Sequence, residues 1–218
     1  MKKYEFTSEI KEIDGYTFRR IRALRDFGDV KAGDLGGYIE LEDNLSHEGD
    51  CWVGGNAWVY GDDARVYENA IVCGGAVVCG HVYGNAHVSG VTRVYVDAHV
   101  YGNARILNKA WVYSDGHVFG DSEVAGSARI ASGGKVYGNA RIAGHAKIIG
   151  EVYENATVGG RVRIYGSVYG KAKIAGNGHV YGKAYGNAKI TGKNMWYIPT
   201  NCEVYEGDNI VEIVNTAA

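Results

Sequence analysis

One proline, Pro199, and four phenylalanines stand in a chain of 218 residues that holds 33 glycines and 17 tyrosines. Taken alone, a composition so far from average usage would suggest low complexity. The regular placement of apolar residues argues for a folded repeat instead. Nowhere does an apolar run approach the roughly 20 residues that a membrane span requires, and the start Met1-Lys2-Lys3-Tyr4-Glu5-Phe6 has no apolar signal core. A membrane partner is therefore not expected, and a cytoplasmic location is. The four cysteines, Cys51, Cys73, Cys79 and Cys202, form no Cys-x-x-Cys pair, which fits free thiols in a reducing compartment. No glycine-rich phosphate loop precedes a helix. Serines, histidines and carboxylates are scattered, so no catalytic residue and no cofactor can be assigned.

Charge is nearly balanced, at −2, but unevenly placed. Residues 1–62 carry 8 basic and 13 acidic side chains, residues 63–198 carry 15 and 8, and residues 199–218 carry 4 acids alone. The body of the chain is basic and both ends are acidic.

From Val82 to Ile148 an aliphatic residue falls at every sixth position, beginning Val82, Val88, Val94, Val100 and Ile106. A small residue usually stands two before it and Gly, Ser or Asn two after, as in Gly84-Asn85-Ala86 and Gly138-Asn139-Ala140. Alternate residues of a strand point to opposite faces, so in Ala-x-Val-Tyr the Ala and Val share one face while x and Tyr share the other. Gly and Asn tolerate positive φ, so Gly-Asn predicts a sharp corner. Three strands and three corners close one coil of 16–18 residues. Coils stacked about 4.8 Å apart bury the aliphatics in a continuous core. The predicted fold is all-β: a single-stranded left-handed parallel β-helix, a three-sided prism with small N- and C-terminal caps.

One side of this prism reads Val66, Val82, Val100, Val118, Val136, Val152, Val168 and Ala184, with 16-residue coils losing two residues at one corner. The second side runs from Val72 to Ile190 and the third from Val78 to Val180, ended by Trp196; Val53 and Val59 open the helix. Residues 1–45 read as a cap, with Ile13-Asp14-Gly15-Tyr16 as a hairpin turn and 28–38 as a loop. The helix is assigned to 46–197 and a C-terminal cap or tail to 198–218.

The segments Arg20-Ile21-Arg22-Ala23-Leu24-Arg25-Asp26-Phe27-Gly28, Asp34-Leu35-Gly36-Gly37-Tyr38-Ile39-Glu40 and Gly49-Asp50-Cys51-Trp52-Val53 resemble the N-terminal signature of YdcK-like proteins. The Tyr-Gly-Asn-Ala-x-Val units are similar to that family's repeats. The resemblance covers the whole chain and implies this fold and a phage, prophage or bacterial origin. It carries over no catalytic residue. By repeat alone the chain is more distantly similar to hexapeptide acyltransferases and to β-helical carbonic anhydrases. The acyltransferases usually interrupt the prism with a loop bearing a catalytic histidine, and they bind the acyl donor between subunits. Here no excursion breaks the register from Val66 to Ile190. The carbonic anhydrases hold zinc with three histidines, two of them five residues apart; this chain has no His-x-x-x-x-His.

The register sorts outward residues into columns. Tyr67, Tyr83, Tyr101, Phe119, Tyr137, Tyr153, Tyr169 and Tyr185 form an aromatic ladder on the first side, about 34 Å long at the strand spacing. It serves either to hold neighbouring strands together or as a contact surface. Arg93, Arg129, Lys147 and Arg163 form a basic column on the third side, fit to hold a phosphate-bearing ligand or nucleic acid, or simply to keep a repetitive sheet soluble. His81, His99 and His117 stack at 18-residue spacing. They are a weak candidate for a metal and physically better suited to charging together near pH 6. The leading expectation is a non-enzymatic binding protein, a dimer or trimer that uses the aromatic face, with a host protein as a further partner and interference with a host defence as its role. An acyltransferase with a site between subunits, or a binder of nucleic acid or a phosphate-bearing small ligand, are the alternatives.

Overall fold

The computed structural model describes residues 2–192 and 194–213. Its parallel strands stack into a left-handed β-solenoid of about nine turns with almost no helix. The three core columns follow the sequence period. Val82, Val100, Val118 and Val136 pair in register on the first side. Val88, Ile106, Val124 and Ile142 do so on the second, and Val94, Val112, Ile130 and Ile148 on the third. All of these are buried to 1% exposure or less. Each fully buried Val or Ile contributes on the order of 1.5–3 kcal/mol.

The corners are hydrogen-bonded from coil to coil as continuously as the strands: the Tyr101 amide donates to the Val118 carbonyl at 3.0 Å and the Asn103 amide to that of Gly120 at 2.8 Å. The two corner residues divide the work differently from the expectation that both take positive φ. Gly102 has φ +69°, whereas Asn103 remains on the ordinary side. Its side chain instead joins a ladder of amides that ends on a carboxylate, Asn69 to Asn85 to Asn103 to Asp121, with separations of 3.1, 3.0 and 2.7 Å. The shortened corner lies between the third and first sides, where Ile148, Ile164 and Val180 lead after four residues to Val152, Val168 and Ala184. A Cβ on Gly166 there would come within 2.0 Å of the Gly182 carbonyl oxygen, so the tight corner admits only glycine.

Two expectations are corrected at the ends. The loop assigned to 28–38 already contains a strand. Three strands open the chain, β1 (Tyr4–Ile13), β2 (Tyr16–Ala23) and β3 (Leu35–Ile39), with β1 and β2 joined by the turn at Asp14 and Gly15. β3 pairs antiparallel with β2 and parallel with Trp58–Val59, so Ile39 stands in the third core column and Leu45 bridges Val66 in the first. At the other end Ile198, not Trp196, pairs with Val180 and ends the third column. Trp196 lies opposite Gly178, where the missing side chain makes room for the indole; a Cβ on Gly178 would come within 2.3 Å of it. Val204 extends the first column past Ala184. Of the tail assigned to 198–218, residues 214–218 lie outside the described residues.

The hairpin docks on the third side. Phe18 packs edge-on to Trp58 with ring centroids 4.5 Å apart, and Tyr16 meets Tyr60 at 5.0 Å. The aromatic ladder stands on the first side, away from these contacts.

Candidate functional site

All eight ladder residues fall in one outward column. Neighbouring rings from Tyr67 to Tyr185 are stacked with centroids 4.7–5.0 Å apart and planes within 6°. Because each face is covered by the next ring, the residues are half-buried and only the edges and hydroxyls are open. Burial pushes the hydroxyls of Tyr67, Tyr83 and Tyr101 above their ordinary range. Tyr205 continues the ladder with a tilted ring 6.3 Å from Tyr185, whose hydroxyl donates to Glu203 at 3.0 Å.

His81, His99 and His117 also stack face to face, at 4.6 and 5.0 Å with planes within 8°. Ring nitrogens in parallel planes at that separation cannot converge on one ion at about 2.0–2.1 Å. Burial first, and then the neighbouring charges of His81 and His117, hold His99 below the ordinary histidine range. His117 Nε2 meets Asp115 Oδ1 at 3.2 Å on the long form of the third-to-first corner. This pair was not singled out from the sequence, although Asp115-Gly116-His117 are nearly adjacent in it.

The four residues expected to bind anions share one column on the third side. Arg93 pairs across strands with Trp111, Trp111 with Arg129, Arg129 with Lys147, and Lys147 with Arg163. His179 follows. The Trp111 ring is held between two guanidinium groups, with Arg93 and Arg129 at 4.6 and 5.2 Å from its centroid. A second column, at the corner just before this side, adds Lys109, His145 and Arg161. Each stands two residues ahead of a third-side residue, so the same repeat that located Arg163 also locates Arg161.

Together these columns line two adjoining grooves. One, of about 490 Å³, includes Arg129, Lys147, Arg161, Arg163, His179 and Met195; the other, of about 230 Å³, includes Val91, Arg93, Lys109 and Trp111. Both grooves contain Ser127 and Arg129. Among the described residues, Arg93, Lys109, Arg129, Lys147, Arg161 and Arg163 form no ion pair. The second side differs: its column inserts Glu123, which Arg105 meets at 3.5 Å. Beyond Glu123 the second side is also unpaired at Arg141, Lys173 and Lys189, but among the described residues only the third side carries six unpaired Lys and Arg along two grooves that share residues.

Among the described residues no helix is long and apolar enough to cross a membrane, and all four cysteines are free thiols. No known family description matches the chain. Over 61 residues it is 39% identical to a protein of Escherichia coli strain K12 described as the uncharacterized acetyltransferase YdcK, a stretch that is 24% of this chain and 19% of that protein. The chain spans about a fifth of the length of this curated relative. That distant relative and the β-helix both fit a hexapeptide-repeat acyltransferase.

Proposed function

We propose that this protein is a non-enzymatic binding scaffold whose recognition surface is the basic third-side face, and that its ligand is anionic. One observation carries the reading: six Lys and Arg side chains on adjoining columns without an ion pair. Like charges a strand spacing apart repel, so their juxtaposition costs stability that an anion would recover. The YdcK-like resemblance implies a phage, prophage or bacterial origin, and in each case the anion would be a component of a bacterial cell. The ladder serves this scaffold as a clamp between coils, and its open edge as the strip through which copies associate.

Calorimetric titration with inorganic polyphosphate tests the reading. Binding in the micromolar range at 50 mM salt, lost in Arg129→Glu/Arg163→Glu, is expected; absence of heat at that salt overturns it.

A second reading, acyl transfer, is favoured by the similarity to YdcK and by the Asp115–His117 pair, in which the histidine could accept a proton from an attacking amine or hydroxyl. Thiol release from acetyl-coenzyme A in the presence of amine or sugar acceptors is expected to stay at background. Release that His117→Asn abolishes would establish the second reading in place of the first.

A further inference from the structure

We infer that the basic face is a track for single-stranded nucleic acid, bound along the prism axis without sequence preference. The inference rests on the anion-binding reading above and names its ligand. Continuity is the first reason. The two grooves share Ser127 and Arg129 and therefore form one trough, from Val91 and Arg93 at one end to His179 and Met195 at the other. Arg93 and His179 are five coil steps apart, about 24 Å at the strand spacing. A compact anion would engage one groove and leave the cations of the other unused, whereas a polymer engages both.

Apolar surface in the trough is the second reason. Val91 is 55% exposed and Met195 68% exposed, one at each end, and the half-buried Trp111 lies between. A purely charged polymer has no use for these side chains, but unstacked bases do. With Arg93 and Arg129 over its two faces, Trp111 offers its edge and holds both guanidinium groups in place over the trough.

The shape of the edge is the third reason. Readout of a duplex requires an element that enters a groove roughly 12 Å wide and 8.5 Å deep. The trough instead runs along corners such as the tight turn between the two-residue strands Glu123–Val124 and Arg129–Ile130, and among the described residues no helix projects from them. A phosphate backbone can lie on such an edge, while base edges inside a helix stay out of reach. At about 3.4 Å per nucleotide of a stacked strand, 24 Å accommodates roughly seven nucleotides, within the site sizes of known single-strand binders.

Fluorescence anisotropy with labelled oligothymidylates of 4, 8 and 15 nucleotides, a 15-base-pair duplex and competing polyphosphate tests this. Affinity is expected to rise from 4 to 8 nucleotides and then level. Five neutralised phosphates imply a loss on the order of a hundredfold between 50 and 200 mM salt. Arg129→Glu/Arg163→Glu should weaken binding at least a hundredfold, and Trp111→Ala about tenfold. Lys171→Glu/Lys173→Glu, in another groove, should leave affinity unchanged, and it makes the same change of net charge. Polyphosphate binding without oligonucleotide binding would overturn the single-strand assignment and leave the anion-binding reading intact; binding of neither would remove both. A duplex bound as tightly as the 15-mer would also overturn the assignment.

Discussion

The ring of Tyr101 lies flat on that of Phe119, with centroids 4.8 Å apart and planes within 3°. Tyr101 meets Tyr83 in the same way at 4.9 Å. One side chain therefore clamps three coils, and the phenol hydroxyl takes no part in the stack. Tyr101→Phe should leave stability within about 0.5 kcal/mol of wild type. Tyr101→Ala removes two stacked pairs and should cost about 1–3 kcal/mol, read from the urea midpoint. Equal effects of the two substitutions would show that the stacks contribute nothing.

Glycine at the shortened corner is a steric requirement. Gly166→Ala drives a methyl group to 2.0 Å from the Gly182 carbonyl and should destabilise by about 3 kcal/mol or more. Gly159→Ala, whose Cβ meets nothing within 4 Å, should stay within about 0.5 kcal/mol. Parallel thermal melts of the two variants decide the point, and a neutral Gly166→Ala would contradict the packing of that corner.

The histidine stack makes stability depend on acid. Folding holds His99 below its ordinary range, so the unfolded chain takes up a proton at a higher pH than the folded one. This contribution is full above about pH 6.5 and declines as pH falls through the folded value. Melting temperatures from pH 8 to 5 should therefore drop more for wild type than for His99→Gln. An NMR titration placing His99 at or above 6.5 would refute the linkage.

Self-association through the ladder is open to test because the hairpin docks on Trp58 and Tyr60, away from it. Only ring edges are free, so a partner meets a narrow strip about 34 Å long, and a stable interface needs roughly 800 Å² per subunit. Light scattering is expected to give a dimer or trimer, reverting to monomer in Tyr101→Glu/Tyr137→Glu. A wild-type mass near 23.5 kDa at tens of micromolar excludes self-association. A multimer that survives the double substitution places the contact on another face.

Several features were legible without coordinates because they depend on spacing alone. Val100 and Val118 had to stack once six-residue strands closed into coils, and Tyr101 and Phe119 followed by parity. The Asp14-Gly15 turn was readable for a similar local reason: both residues adopt positive φ, at 51° and 85°. Asn103 was misread because its backbone tolerance and its side-chain amide predict the same residue at the same place. Trp196 was misread because Ile198 lies one alternation further on, and parity cannot tell which of two inward residues carries on a column.

The sequence by itself determined the solenoid, its three core columns and the outward order of aromatic and basic side chains. Coil-to-coil hydrogen bonding permits only whole-coil offsets, and strand parity does the rest. Tertiary structure alone decided which surfaces remain open. Stacking turns the ladder's faces inward on one another, Glu123 pairs with Arg105 on the second side, and the hairpin covers Trp58. Arg93 and Arg129 close over Trp111, and the adjoining corner column completes an unpaired basic trough. Those outcomes rest on the orientations of side chains one or more coils apart, and a linear period specifies their positions but not the directions in which they point.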